Sequence, residues 1–200
     1  MNSPKEKDSA YTWHPFTQMK LAGEPIHIES GKGTLLYDRD GKQYIDAISS
    51  WWVNLHGHAN DYIANKIAEQ ARKLEHVLFA GFTHTPAIEL SERLIKILPG
   101  SFSKVFYSDD GSTSVEVAVK MALQYWHNHG EKQRTKIIAF ENAYHGDTFG
   151  AMSVSRDPVF FGRFEPLLFR ADILPLDANR LDEHLKVHAS ATASSEEHTS

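Results

Sequence analysis

An α/β fold with a parallel sheet is what this sequence predicts, and three observations carry it. Lys104–Ser108 (KVFYS) reads as a short buried strand, Asp109–Ser114 (DDGSTS) as a glycine turn, and Val115–Trp126 as a helix. A second apolar run, Lys136–Phe140, follows. Strand, crossover helix and strand make a βαβ unit, which is parallel and right-handed. Ahead of it, residues 26–46 alternate as an antiparallel meander does. The expected plan is a disordered leader over 1–10, an N-terminal segment with the β-meander over 11–50, the first part of a larger parallel-sheet domain over 51–180, and an atypical, disordered tail over 181–200.

Composition narrows the function classes. Two hundred residues suffice for one good core and a satellite element. A net charge of -5 leaves no footprint for nucleic acid, and no basic run suggests a membrane surface. The N-terminus MNSPKEKDSA is polar rather than a signal sequence, and no apolar run is long enough to span a bilayer. The absence of cysteine excludes disulfides, thiolate zinc and a cysteine nucleophile, and fits a cytoplasmic protein. Of the twelve histidines, only His184 and His188 have helical ligand spacing, and no carboxylate pattern completes a site. No metal is expected.

In chain order, Tyr11–Met19 is aromatic-rich without a period, so its rings must pack either on the domain or around a ligand. Ile26–Ile28, Thr34–Asp38 and Gln43–Asp46 are the meander strands, with turns at Gly31-Lys32-Gly33 and Asp40-Gly41. Ile48–His58 follows, with Trp51 and Trp52 adjacent; it is either a core corner or an aromatic wall for a small molecule. Tyr62–Leu74 is an amphipathic helix. A second helix starts at Thr85-Pro86 and is stopped by Pro99-Gly100. Within Val115–Trp126 the buried stripe is Val115, Ala118, Val119, Ala122, Tyr125 and Trp126. One more short strand is expected near Leu167–Phe169 or Ile173–Leu176.

The chemistry concentrates where the strands end. Ligands of parallel sheets sit at the carboxyl ends of strands, so Asp109–Ser114 and Asn142–Gly146 should face one crevice. A helix first turn built from Gly111, Ser112, Thr113 and Ser114 aims backbone N–H groups and hydroxyls at one point, where the helix dipole favours a phosphate. Tyr144 beside that cradle suits a flat ligand, and His145 and Asp147 stand next to it. A generic nucleotide binder is disfavoured, because neither Gly-x-x-x-x-Gly-Lys nor Gly-x-Gly-x-x-Gly occurs.

Trp13–Met19, Ser49–Trp52, Phe82-Thr83-His84-x-Pro86-Ala87, Asp110-Gly111-Ser112-x-x-Val115-Glu116 and Tyr144–Gly150 occur in that order. Together they resemble the class III, pyridoxal-phosphate-dependent aminotransferases, in the branch that makes 7,8-diaminononanoate for biotin. The resemblance spans roughly residues 11 to 177, and five ordered motifs are far more specific than one glycine loop. It implies a fold type I, aspartate-aminotransferase-like transferase, with residues 11–50 in the small domain and 51–180 in the cofactor-binding large domain. It implies pyridoxal 5'-phosphate as cofactor, with Gly111 and Ser112 on its phosphate and Tyr144 on its ring and on substrate. Trp51 would line the path of the substrate's apolar chain, supported by Trp52, with His145 and Asp147 as further supports. Phe16 stands where some members carry a tyrosine that hydrogen-bonds substrate, which leaves the amino donor open between S-adenosylmethionine and lysine. Asp110 replaces a serine common before Gly111 and sets a carboxylate near a phosphate unless it turns away as a cap.

The resemblance also implies what to look for and not find. The family is longer, and its Schiff-base lysine, pyridine-pairing aspartate and carboxylate-binding arginine lie in the part that would follow. No lysine here sits in that lysine motif, and Lys120, Lys132 and Lys136 read as solvated charges. The chain thus resembles the N-terminal portion of such an enzyme, without a catalytic lysine and inactive alone. A non-catalytic remnant with dimer contacts or weak phosphate binding is the alternative. The family is homodimeric, and Gly81–Thr85 lies where cross-subunit contacts fall. A sheet cut partway would leave an open edge and uncovered apolar helix faces.

Overall fold

Residues 28–45 fold as the meander that their alternation predicts. In the computed structural model, which describes residues 3–155 and 157–195, β1 (Ile28–Lys32), β2 (Leu35–Asp38) and β3 (Gln43–Ile45) pair antiparallel in that order. The first turn sits at Gly33-Thr34, beyond the expected Gly31-Lys32-Gly33, because Lys32 pairs with Leu35. The second is tied by Asp38, whose Oδ1 accepts the N–H groups of Asp40 and Lys42 at 3.0 and 2.9 Å. The Tyr44 hydroxyl donates to its other oxygen at 2.8 Å.

Two compact units divide the chain, Met1–Ile88 and Glu89–Ser200. The division falls after Ile88 rather than at the expected residue 50. The reason is local: Gly33 and His58 form an isolated antiparallel bridge, so residues 49–60 are bound back onto the meander. The leader also differs from expectation. Pro4–Tyr11 is a helix, α1, started by a capping box in which Ser3 and Glu6 exchange side-chain and backbone bonds. Ser3-x-x-Glu6 with Pro4 at the first position is the signal for it, and polarity alone had argued for disorder. Residues 1 and 2 lie outside the described residues.

The rest of the first unit comprises the single turn α2 (Ser49–Trp52), α3 (Asp61–Lys73) and the start of α4 (Thr85–Ile97). Asn60 caps α3 by accepting Ile63 N–H at 3.2 Å. Ahead of α4, the His84 ring Nδ1 accepts from Ala87 N–H at 3.4 Å.

In the second unit, α5 (Gly111–Asn128) leads through a turn to β4 (Lys136–Phe140), then α6 (Phe149–Ser155), α7 (Pro158–Phe161) and a 3-10 turn at Gly162–Leu167. Next come β5 (Asp172–Leu174), α8 (Ala178–His188), a short 3-10 turn and β6 (Thr192–Ser195). The sheet order is β5-β4-β6, all parallel. Central β4 is buried on both faces, as a parallel strand should be. Val119, Ile137, Ala139, Val154 and Ala171 form the core cluster, with Val115, Leu123, Ile173 and Ala193 packed against it. The stripe of α5 therefore runs through Leu123, while Ala118 and Tyr125 are exposed.

Two expectations fail in this unit. Lys104–Ser108 forms no strand, because among the described residues no neighbour ladders with it, and Phe106 is exposed. The tail is ordered as far as it is described: Asp177 caps α8, and β6 pairs with β4 at Lys136–Ile138. Side chains from the end of α5 and from the turn after it fix it. Trp126 Nε1 donates to Ala193 O at 2.9 Å, and Arg134 donates to Ala189 O and Thr192 O while lying 4.0 Å over the Trp126 ring. A strand of four small residues has no hydrophobic period to betray it. Residues 196–200 of the expected disordered tail lie outside the described residues.

Candidate functional site

The first turn of α5 is ordered by its cap. Asp110 Oδ1 accepts Thr113 N–H at 2.7 Å, and the Thr113 hydroxyl accepts from Asp110 N–H at 3.2 Å. The carboxylate is thereby committed to the helix end as its cap. Asp109 is held below its ordinary pKa chiefly by the Thr113 hydroxyl, which donates to it at 2.6 Å. Both aspartates are bound to Thr113, and the backbone of Gly111 and Ser112 opens the helix beyond them.

The loop after β4 is docked on this turn, so Asp109–Ser114 and Asn142–Gly146 do meet, although no strand precedes the first of them. Ser112 Oγ accepts Asp147 N–H at 3.2 Å. Gly146, with φ 121°, lies so close that a Cβ there would stand 2.6 Å from Ser112 Cβ and 2.9 Å from its Cα. Ser112 uses a lone pair for Asp147, and its own proton remains to be donated. Tyr144 is 62% exposed, its hydroxyl donates to Asp147 Oδ2 at 3.1 Å, and its ring stacks against buried Phe161 at 6.5 Å and 19°. Burial first, then the Asp147 carboxylate, raise the Tyr144 pKa, so the phenol stays protonated and a donor. His145, expected at the crevice, is instead buried, and its backbone N–H donates to Ser155 Oγ at 2.8 Å.

A second anchor was not anticipated. Glu116 Oε1 accepts the Thr148 hydroxyl and Gly150 N–H, each at 2.6 Å, and so caps α6 from a different helix. A Cβ at Gly150 would stand 2.6 Å from both Glu116 Cδ and Oε1. The loop carrying Tyr144 is thus tied to α5 at two points, both after Tyr144. A carboxylate next to the Val115–Val119 stripe was the available signal.

The remaining predicted residues lie in the first unit. Phe16 (φ 51°) and Trp51 meet edge-on at 5.4 Å and 79°, and Trp13 and Trp52 are exposed. The aromatics of Tyr11–Met19 are therefore not core residues. Trp51 and Trp52 belong to α2, whose four residues Ser49, Ser50, Trp51 and Trp52 all have positive φ. A left-handed conformation costs an L-residue about 1–2 kcal/mol, so this turn is strained. It is bound to Asp46, whose carboxyl is held at about 2 by Ser50 N–H, then the Ser50 hydroxyl and His58. With the folded value below the ordinary 3.8, this stabilisation is complete above 3.8 and lost as pH falls through about 2. Near-UV circular dichroism of the tryptophans should hold steady down to 3.8 and decay toward about 2; a band already lost above that window would count against the assignment.

Of the three lysines read as solvated, Lys120 and Lys132 are exposed, but Lys136 is half-buried and 3.0 Å from Asp172 Oδ2, which His184 also approaches at 3.1 Å. Among the described residues, no three His, Asp or Glu side chains could hold a metal, and no helix is long and apolar enough to cross a membrane.

Comparison with known proteins bears on the family and the fold. The aminotransferase class-III family profile matches residues 19–199. The adenosylmethionine-8-amino-7-oxononanoate aminotransferase of Synechococcus elongatus is 57% identical over 165 residues, covering 82% of this chain and 39% of that protein. Its Staphylococcus aureus counterpart is 48% identical over 170 residues, with 82% and 38% covered. The crystal structure of the Methanocaldococcus jannaschii counterpart superposes with a TM-score of 0.88 at 41% identity, over 96% of this chain and 45% of that one. An omega transaminase from Pseudomonas jessenii, solved in complex with PMP, gives 0.87 at 28% identity, over 97% and 48%. The chain spans about two fifths of the length of the sequence relatives named.

Proposed function

We propose, from a chain that belongs to the aminotransferase class-III family, that it binds pyridoxal 5'-phosphate for amino transfer to 8-amino-7-oxononanoate, giving 7,8-diaminononanoate in biotin synthesis. The observation that carries this reading is the docking of Gly146 and Asp147 on Ser112 at the start of an 18-residue helix. The glycine lets the loop close on the first turn, whose N–H and O–H donors would suit a phosphate. When bound, the cofactor supplies the electron sink that amino transfer requires.

The chain's own residues divide the remaining work. Gly111 N–H and Ser112 N–H and O–H would hold the phosphate, with Asp110 and Asp109 each bonded to Thr113. The exposed Tyr144 ring would lie on the pyridine, and its hydroxyl, whose proton goes to Asp147, would offer an oxygen lone pair to a donor on the substrate. Trp51, braced by Phe16 and supported by Trp52, would offer an apolar surface to the substrate's methylenes, where no charge is needed. The names of the relatives favour S-adenosylmethionine over lysine as donor. As a family trait, a homodimer would complete the active protein. None of the lysines in these 200 residues lies in the family's lysine motif, so the chain by itself would hold the cofactor non-covalently and not complete a transfer.

Equilibrium binding tests this directly. Pyridoxal 5'-phosphate should bind at least about tenfold more tightly than pyridoxal, because hydrogen bonds to a charged phosphate are strong ones. Ser112→Ala should remove about five- to tenfold of that preference, as loss of one such bond does. Borohydride should fix none of the cofactor covalently. Equal binding of the two vitamers would refute the cradle, and stoichiometric covalent capture would refute non-covalent holding.

A further inference from the structure

The turn α2 is strained, yet it adds nothing to the core of its unit. Ser49, Ser50, Trp51 and Trp52 have φ of 49°, 48°, 60° and 65°, and Ser50 and Trp51 have ψ of 56° and 53°. These are left-handed helical angles, which L-residues visit singly rather than in runs. Backbone bonds from Trp52 to Ile48 and from Val53 to Ser49 close the turn at 2.9 and 3.0 Å. Its largest side chains nevertheless face solvent: Trp51 is 55% and Trp52 75% exposed. Strain kept where packing does not benefit points to presentation of a surface.

What holds the turn is one buried carboxylate. The Asp46 side chain is 6% exposed. Its Oδ1 accepts Ser50 N–H at 2.9 Å, and its Oδ2 accepts the Ser50 hydroxyl at 2.7 Å and lies 2.7 Å from His58 Nε2. His58 is itself fixed on the first hairpin, where its N–H and C=O pair with Gly33 at 2.8 and 3.1 Å. An unbroken chain of bonds therefore runs from the hairpin through His58 and Asp46 to the middle of the strained turn.

We propose that Asp46 is a positioning residue, which clamps Ser49–Trp52 left-handed through Ser50 and His58 and thereby sets the selectivity of the tryptophan wall for an unbranched apolar chain. This rests on the reading that Trp51 and Trp52 meet the substrate's methylenes. The carboxylate touches no substrate; it acts on the tryptophans through the backbone between them.

The test titrates the 200-residue chain with nonanoic acid and with cyclohexylacetic acid, followed by tryptophan emission. Near-UV circular dichroism reports the Phe16–Trp51 geometry, and far-UV dichroism checks the fold. Asp46→Asn and Ser50→Ala should both lose near-UV amplitude and weaken nonanoate binding by about fivefold, with less loss for the bulky acid. Ser49→Gly, which accepts the left-handed conformation without cost, should restore both signals in the Asp46→Asn background. If both single variants keep the band and the affinity, Asp46 positions nothing. Failure of the glycine to restore a variant whose far-UV spectrum is intact overturns the proposal equally. Should Asp46→Asn not fold, Ser50→Ala decides, since it leaves the carboxylate in place. If Trp51→Ala and Trp52→Ala bind nonanoate as the unaltered chain does while the near-UV results hold, the clamp stands, and both the aromatic-wall reading and the selectivity role fall.

Discussion

Gly146→Ala should destabilise the second unit by about 2–4 kcal/mol and abolish phosphate-dependent cofactor binding. Two effects add at this position. A φ of 121° lies where side-chain-bearing residues rarely go. The new methyl would also stand 2.6 Å from Ser112 Cβ and 2.9 Å from Ser112 Cα. The second of these is backbone, fixed in the first turn of an 18-residue helix, so rotating a side chain does not relieve it. The loop must lift, and Asp147 N–H then leaves Ser112 Oγ. Gly162→Ala is the control in the same unit, because a Cβ there meets nothing within 4 Å and its φ is -54°. Thermal unfolding should separate the two variants clearly, with the control within about 0.5 kcal/mol of the unaltered chain. Equal stability of the two alanine variants would show that the loop does not sit on the helix as described.

What the sequence disclosed follows from the range of each interaction. The Asp110 cap, the glycine that opens α5 and the small hydroxyl residues behind it act within four residues, and that stretch was legible. So was β4, whose unbroken apolar run requires burial on both faces. Lys104–Ser108 has the composition of a strand, but a strand exists only with a ladder partner, which composition cannot report. The reverse held for Thr192–Ser195, where pairing with β4 and bonds from Trp126 and Arg134 order residues of little intrinsic preference. α1 was missed although its signal, Ser3 and Glu6 around Pro4, was present. The left-handed turn at Ser49–Trp52 carries no glycine, so no local rule predicts it; the cause is Asp46 and, through it, His58, twelve residues further along. In the site, Ser112 and Tyr144 were chosen by type and spacing. His145 was chosen the same way and proved to be buried, because an imidazole in a loop does not announce which way it faces.

Glu116→Ala should cost about 2–4 kcal/mol, since it strands two donors that now share one oxygen, at about 1–3 kcal/mol for each group left unsatisfied. The Thr148 hydroxyl, released from Glu116 by this change, can turn to cap the seven-residue α6, so the loss should fall toward the lower end of that range. Release of α6 frees the far end of the loop that holds Tyr144 and Gly146, so cofactor affinity should fall together with stability. Glu116→Gln retains one carbonyl acceptor and should lose less. Gly150→Ala probes the same contact from the other side, because its methyl would stand 2.6 Å from Glu116 Cδ. Each single change is therefore damaging, but for opposite reasons: one removes the carboxylate, the other leaves it no room. In the double variant the methyl enters space that the carboxylate has vacated, so the two costs should not add. A double-mutant cycle read by urea unfolding should give a coupling of about 1 kcal/mol or more, favouring the double variant. Strict additivity would mean that Glu116 and Gly150 do not share the site, and the trans cap would have to be abandoned.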